Sequence, residues 1–270
     1  MDMDRVRDQG LVLLGCGKMG SAMLEGWLKQ GLAPDHVWVL DPAPSEWLQE
    51  QGVHLNVDLP AAPAIVLIAV KPQMMGEALP QLQAMGGGET LFLSVAAGTT
   101  IAHYENVLGS ATPVVRAMPN TPAAIGKGIT AIIGNTRATA AHLDLAEALL
   151  SAVGQVVRLT GEHQMDAVTA VSGSGPAYVF HLVEALAAAG TAEGLPVDLA
   201  MQLAKATVAG AGALVETSAE TPDQLRINVT SPGGTTAAAL AVLMDETQGF
   251  PALLRKAVHA ATIRGRELGK

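Results

Sequence analysis

Two short stretches of the 270-residue chain join glycines to small polar residues in patterns suited to anions. The first, Gly15-Cys16-Gly17-Lys18-Met19-Gly20, follows the apolar run Leu11 to Leu14 and precedes a helical pattern at Ser21 to Gln30. Between a strand and a helix such glycines have separate jobs: a tight turn, backbone access for a pyrophosphate, and close helix–strand packing. The helix N-terminus then offers open amides and partial positive charge to the diphosphate. The spacing predicts a dinucleotide site, with a purely structural turn as the alternative. The second stretch, Ser231-Pro232-Gly233-Gly234-Thr235-Thr236, precedes an Ala-rich helical pattern. Its unshielded amides and hydroxyls predict a compact pocket for a small carboxylate without any arginine. On its own it reads equally well as an ordinary loop and N-cap. A similar Gly/Ser turn, Ser172 to Pro176, is expected to pack closely and face the cofactor.

Asp41 ends the next apolar run, Val37 to Leu40, and stands 21 residues after Gly20. A carboxylate there accepts hydrogen bonds from an adenosine ribose 2′-OH and repels a 2′-phosphate. No Arg or Lys lies between Val37 and Val70 to hold such a phosphate. NAD(H) is therefore favoured over NADP(H), unless Asp41 merely caps the loop at Pro42. Ligands of parallel sheets lie beyond the carboxyl ends of the strands. The turns Ala69-Val70-Lys71-Pro72, Ala96-Ala97-Gly98 and Met118-Pro119-Asn120-Thr121-Pro122 should accordingly line the nicotinamide side. Lys71 reads as a cation over cofactor or solvent rather than a catalytic acid. Asn120 suits ribose or substrate, and equally a turn.

Other reactive side chains carry less. The seven histidines are scattered, with no HExxH or Cys/His cluster, so no metal site is expected. Cys16 reads as a small filler in its loop, and His181 with Glu184 as a solvent-facing pair. There is no G-x-S-x-G elbow.

The elements that must position these residues follow from hydrophobic pattern. Leu11 to Leu14, Val37 to Leu40, Ile65 to Val70, Leu91 to Val95, Val114 to Met118 and Gly128 to Gly134 read as strands. Helix-length segments between them imply right-handed βαβ units and an open parallel sheet. Beyond about residue 160 strand signals vanish. Pro176 to Gly190, Pro196 to Thr217, Thr236 to Met244 and Pro251 to Leu268 read as helices, with prolines in first turns that accept them. This divides the chain into a dinucleotide-binding domain, 1–160, and a helical substrate-binding and dimerisation domain, 161–270. Residues 1–10 are expected to be mobile.

Composition narrows the classes. Apolar residues make up 49% of the chain and charged residues 15%, which excludes a disordered chain. The formal charge of −9 comes without any cationic cluster, so nucleic acid is not expected as a partner. One cysteine, no signal peptide and no apolar run long enough to span a bilayer point to the cytoplasm. Mid-helix Gly weakens a helix by about 1 kcal/mol relative to Ala. The small residues Ala204, Ala209, Gly210, Ala211 and Gly212 thus suggest a core shared between subunits, with a monomeric bundle as the alternative.

With the glycine loop, AVKPQ (69–73), MPNTP (118–122), SGSGPAY (172–178) and NVTSPGGTT (228–236) in order, the chain closely resembles the pyrroline-5-carboxylate reductase family from Leu11 to about Leu268. Two departures stand out: an N-terminal extension, and Asp41 where many members have a neutral or basic residue. The resemblance implies an N-terminal Rossmann domain, a doubly wound parallel sheet, with a C-terminal all-helical domain that interlocks in a homodimer, and dimers that form larger rings. It implies that residues 15–20, Asn56, 69–72 and 96–98 surround NADH or NADPH. It further implies that Asn228, Ser231, Gly234, Thr235 and Thr236 approach nicotinamide and substrate. The implied reaction is hydride transfer to the cyclic imine 1-pyrroline-5-carboxylate, giving L-proline. There the Gly234 and Thr235 amides with Ser231 would grip the carboxylate, and Thr236 would bond the ring nitrogen. Two rivals stay open: a β-hydroxyacid dehydrogenase, which needs a lysine base that the 172–178 segment lacks, and a non-catalytic nucleotide- or lipid-binding relative.

Overall fold

The computed structural model describes residues 3–269. They divide into two compact units, residues 3–173 with 261–269, and Ser174–Ala260. In the first unit the strands are β1 (Leu11–Leu14), β2 (Val37–Leu40), β3 (His54–Leu55), β4 (Ile65–Ile68), β5 (Leu91–Ser94), β6 (Val114–Met118), β7 (Gly128–Gly134) and β8 (Gly154–Arg158). They form one sheet in the order β3-β2-β1-β4-β5-β6-β7-β8. From β3 to β6 every pairing is parallel, and the order reverses beside β1, as in doubly wound dinucleotide-binding sheets.

Around the sheet lie α1 (Met3–Gln9), α2 (Lys18–Lys29), α3 (Glu46–Gln49), α4 (Met75–Ala78), α5 (Ile101–Leu108), α6 (Ala140–Leu150) and α7 (Met165–Val168). The period of two sorts each central strand onto two faces. Leu11, Leu13, Ile65, Leu67, Leu91 and Leu93 join Met23, Leu24 and Trp27 of α2 and Leu145 and Leu149 of α6. Val12, Leu14, Val66, Ile68 and Phe92 join Met75, Leu79, Leu82, Tyr104 and Leu108 on the other face. Each such side chain, fully buried, is worth roughly 1.5–3 kcal/mol. Burial on both faces is why β1, β4 and β5 read as unbroken apolar runs.

Three features correct the sequence reading. The sheet is parallel-dominated rather than wholly parallel, because β7 runs antiparallel to β6, with Met118 opposite Ala131. Only nine residues, 119–127, separate these strands, too few for the dozen or more that a parallel crossover needs. The first residues are not mobile throughout: residues 3–9 form α1, with Val6 fully buried and Arg5 Nη2 donating to the Glu89 carbonyl at 2.7 Å. Residues 1 and 2 lie outside the described residues. Ser172 to Pro176 is not a turn, since a π-helical stretch, Thr169–Gly173, runs almost directly into the next helix. Its close packing is real: a Cβ on Gly173 would stand 2.6 Å from Met118 Cε.

The compact units part at 173/174, later than the composition shift near 160. Residues 162–173 stay with the sheet because Met165 and Ala170 are buried there and Glu162 pairs with Arg116 at 2.7 Å. Residues 261–269 also belong to this unit, with Gly265 against Asp166 and Leu268 beside Gly98.

The second unit comprises α8 (Gly175–Ala192), α9 (Val197–Thr217), α10 (Pro222–Asn228), α11 (Thr235–Leu243) and most of α12 (Phe250–Leu268). Four of these begin and end within two residues of the expected limits; α10 was not expected. Small residues bring α8 and α9 together, with Ala187, Ala200 and Ala204 buried and a Gly190 Cβ position 3.5 Å from Ala200 Cβ. Gly210 and Gly212, in contrast, face open space in the single chain. So do large apolar side chains, among them Phe180, Val197, Leu214, Val242 and Leu253, each more than half exposed. No helix among the described residues is long and apolar enough to cross a membrane.

Candidate active site

The glycine loop sits where β1 hands over to α2. Gly15 adopts φ +86°, a left-handed conformation open to glycine, and a Cβ there would strike Val70 Cγ1 at 2.8 Å. A Cβ on Gly20 would lie 2.5 Å from the Gly15 carbonyl oxygen, so helix and turn are in direct backbone contact. Gly17, the N-cap of α2, has nothing within 4 Å of its Cβ position and no side-chain cap. The first-turn amides of α2, from Lys18 and Met19 onward, therefore open onto free space. Ser21 folds the loop by donating to the Gly17 carbonyl at 2.7 Å and lies 2.9 Å from that of Cys16. This cradle fits a diphosphate. Burial holds the Cys16 thiol above its ordinary pKa, which favours the neutral form.

Asp41 is tied to that loop. Its Oδ2 accepts the Cys16 amide at 2.7 Å and its Oδ1 accepts the Ala43 amide at 2.9 Å. Asp41 thus turns the chain at Pro42, the capping reading, and keeps unused acceptor sites, since a carboxylate offers about four. Asn56 clamps it from the bend just after β3, accepting the Asp41 amide through Oδ1 at 2.9 Å and donating from Nδ2 to the Asp41 carbonyl at 2.8 Å. Asn56 does so at φ +52°, a conformation Asn tolerates better than most residues. Asp41 and Asn56 line a cavity of about 300 Å³ at the ends of β1, β2 and β4, walled by Leu14, Val70 and Met74.

The later turns are placed unequally. Ala69 and Val70 back the glycine loop. Pro72, Ala97 and Gly98 share a second cavity, of about 160 Å³. Ala96 is buried, its amide 3.2 Å from Ser94 Oγ. Lys71 is exposed at the N-cap of the single turn Pro72–Met74. Asn120 has its side chain engaged: Nδ2 donates to the Ser172 carbonyl at 3.1 Å and Oδ1 accepts the Ile129 amide at 3.0 Å. Its side chain thus ties β7 to the 169–173 segment and makes no cap bond of its own.

One buried ion pair escaped the sequence reading. Arg116, in the apolar strand β6, is 7% exposed and meets Glu162, whose Oε1 also accepts the Ile101 amide at 2.9 Å. Its only signal was a lone cation within VVRAM.

In the second unit the Ser231–Gly234 segment forms a type II turn. Gly234 donates its amide to the Ser231 carbonyl at 3.0 Å, with Pro232 at the position that wants a fixed φ and Gly233 at φ +73°. The turn delivers the chain into α11 with Gly234 as an N-cap that has no side-chain bond. The amides of the first turn, from Thr235 and Thr236, are therefore left open. Ser231, Thr235 and Thr236 hydroxyls form no bond to other described residues, and Thr236 is half-buried. Asn228 differs: its Nδ2 donates to Glu220 at 2.9 Å and its Oδ1 accepts from Gln224 at 2.8 Å. His181 and Glu184 are the exposed pair expected, 3.1 Å apart. No group of three metal-ligating side chains occurs among the described residues.

Comparison with known proteins covers the same span. A family model described as pyrroline-5-carboxylate reductase dimerisation matches residues 162–268, and one described as NADP oxidoreductase coenzyme F420-dependent matches residues 11–98. The pyrroline-5-carboxylate reductase of Synechocystis sp. is 41% identical over 96% of this chain and 98% of its own length. Among solved structures, a pyrroline-5-carboxylate reductase from Coxiella burnetii matches with a TM-score of 0.91 at 34% identity, over 97% of this chain and 99% of that one. The Plasmodium falciparum pyrroline carboxylate reductase with NADP bound matches at 0.82 and 28% identity, over 97% and 99%.

Proposed function

The chain belongs to the pyrroline-5-carboxylate reductase family, and from that premise we propose how its residues divide the work. The reaction is reduction of 1-pyrroline-5-carboxylate to L-proline, the last step of proline biosynthesis, with a nicotinamide cofactor. The bound cofactor supplies hydride to the C=N carbon. The residues of the chain bind, orient and protonate.

The observation that carries the assignment is the uncapped start of α11 behind a Pro-Gly turn. Open amides at Gly234 to Thr236 suit the substrate carboxylate, which the positive end of a helix favours. Ser231 adds a hydroxyl to that grip. Thr236, whose hydroxyl has no partner among the described residues, hydrogen-bonds the ring nitrogen as it becomes an amine. The imine nitrogen is itself basic, so it needs no histidine or lysine acid. Most of the rate then comes from holding donor and acceptor carbons in register. Mixing the protein with NADH and pyrroline-5-carboxylate, and following the nicotinamide absorbance, tests the reading. Decay with an oxo acid but not with the imine would favour a hydroxyacid dehydrogenase; no decay with either would favour a silent binding protein.

The 300 Å³ cavity takes the adenosine half, and Asp41 makes NADH the preferred donor. Asp41→Ser is expected to raise the ratio of kcat/KM for NADPH to that for NADH by about tenfold, one carboxylate–phosphate repulsion removed. An unchanged ratio would show that Asp41 does not select. The exposed apolar side chains of α8, α9, α11 and α12 support a homodimer, of the kind that assembles further into rings. Sedimentation should give at least twice the chain mass, and a stable monomer at micromolar concentration would contradict it. The lone cysteine is in keeping with a cytoplasmic enzyme.

A further inference from the structure

The cavity assigned to adenosine holds a second carboxylate. Glu77, on α4, lines it together with Asp41, Met74 and Gln81. Its carboxylate forms no hydrogen bond or ion pair with other described residues, and no Lys, Arg or His lines the cavity among them. Gln81 is held in place by Nε2 donating to the Glu77 carbonyl at 3.2 Å, which leaves its Oε1 an acceptor as well. The polar side chains bordering the cavity from α4 onward thus bring one negative charge and one neutral amide, and no positive charge.

We propose that Glu77 is a second cofactor-selecting carboxylate, which acts with Asp41 to admit a ribose bearing a free 2′-hydroxyl and to exclude a 2′-phosphate. This rests on the assignment of the cavity to the adenosine half. The device is repulsive: a phosphate near its dianionic form would enter a space bordered by two like charges and no counter-ion. Specificity built this way comes from penalising the wrong ligand rather than from gripping the right one. Asp41 also anchors the glycine loop through the Cys16 amide, so its replacement disturbs more than charge. The Glu77 carboxylate anchors no other described residue, which makes it the cleaner test of electrostatic selection.

Calorimetric titration of the full-length protein with ADP-ribose and with 2′-phospho-ADP-ribose reads this without turnover. Glu77→Gln should tighten binding of the phosphorylated ligand by about three- to tenfold and leave ADP-ribose within about twofold. Glu77→Lys should go further in the same direction. Both gains should shrink as salt rises, because screening weakens the repulsion that the variants remove. If neither variant changes the ratio of the two affinities, or if both ligands weaken equally, Glu77 does not select and the proposal falls. Asp41→Ser in the same series separates the two ideas. A ratio that moves with Asp41 but not with Glu77 removes only the role of Glu77. Failure of ADP-ribose to bind the wild-type protein, or a ratio indifferent to both residues, removes the adenosine assignment itself.

Discussion

Thr236→Ala is expected to lower kcat/KM for the imine by about 10²-fold, the low end of what a positioned proton donor contributes, while the Kd for NADH stays within about twofold. The reasoning is local. Thr236 stands in the first turn of α11 with its hydroxyl unpartnered among the described residues, so its removal breaks no hydrogen bond that holds the fold. Alanine is the best helix former, so α11 should persist. Its backbone amide remains, so the grip on the carboxylate survives and the loss should fall mainly on kcat. Thr236→Ser, which keeps the hydroxyl, should recover most of the rate. A loss of equal size in NADH affinity, or a serine variant as slow as alanine, would remove Thr236 from the proton path. Steady-state kinetics with the imine and fluorescence titration with NADH measure the two quantities.

The second large effect is expected at the glycine loop, where two neighbouring glycines should fail in different ways. Gly20→Ala places a methyl 2.5 Å from the Gly15 carbonyl oxygen, a backbone atom that cannot step aside without moving the turn. Overpacking of this kind costs about 1–3 kcal/mol. For a chain of this size that lowers Tm by about 2–4 °C per kcal/mol, and the displaced turn should weaken NADH binding at least about tenfold. Gly17→Ala adds its methyl to open space, so Tm should hold. Yet that space is the proposed approach of the diphosphate to the α2 amides, and NADH affinity should still fall about tenfold. Differential scanning calorimetry with NADH titration separates the two. Gly17→Ala binding as well as the wild type would mean that the diphosphate does not approach there.

How much of this was legible beforehand varies from residue to residue. Glycine spacing after a buried strand is legible because steric rules act within a few residues, and the loop at 15–20 does stand between a strand and a helix. The six strands with strong apolar runs were legible for the same reason. β8 was not: Gly154–Arg158 is partly exposed along its length and carries little apolar signal. α1 was missed because a seven-residue helix needs a partner surface to be stable, and among its described side chains Val6 alone is fully buried.

The local grammar of this chain therefore shows in its glycine loops, in the six strongly apolar strands and four of the later helices, and in a Pro-Gly turn that leads into a helix. Those depend on φ, hydrophobic period and N-cap preferences, all of which act over a few neighbouring residues. Only the tertiary structure decided that Asp41 braces the glycine loop as well as facing the cavity, that Asn120 and Asn228 spend their side chains on their own surroundings, and that Glu77 borders the same cavity as Asp41. These pairings join residues distant in the chain or leave a polar group's several partners to compete. Which partner wins is settled by distances that packing sets, and no spacing in the sequence encodes them.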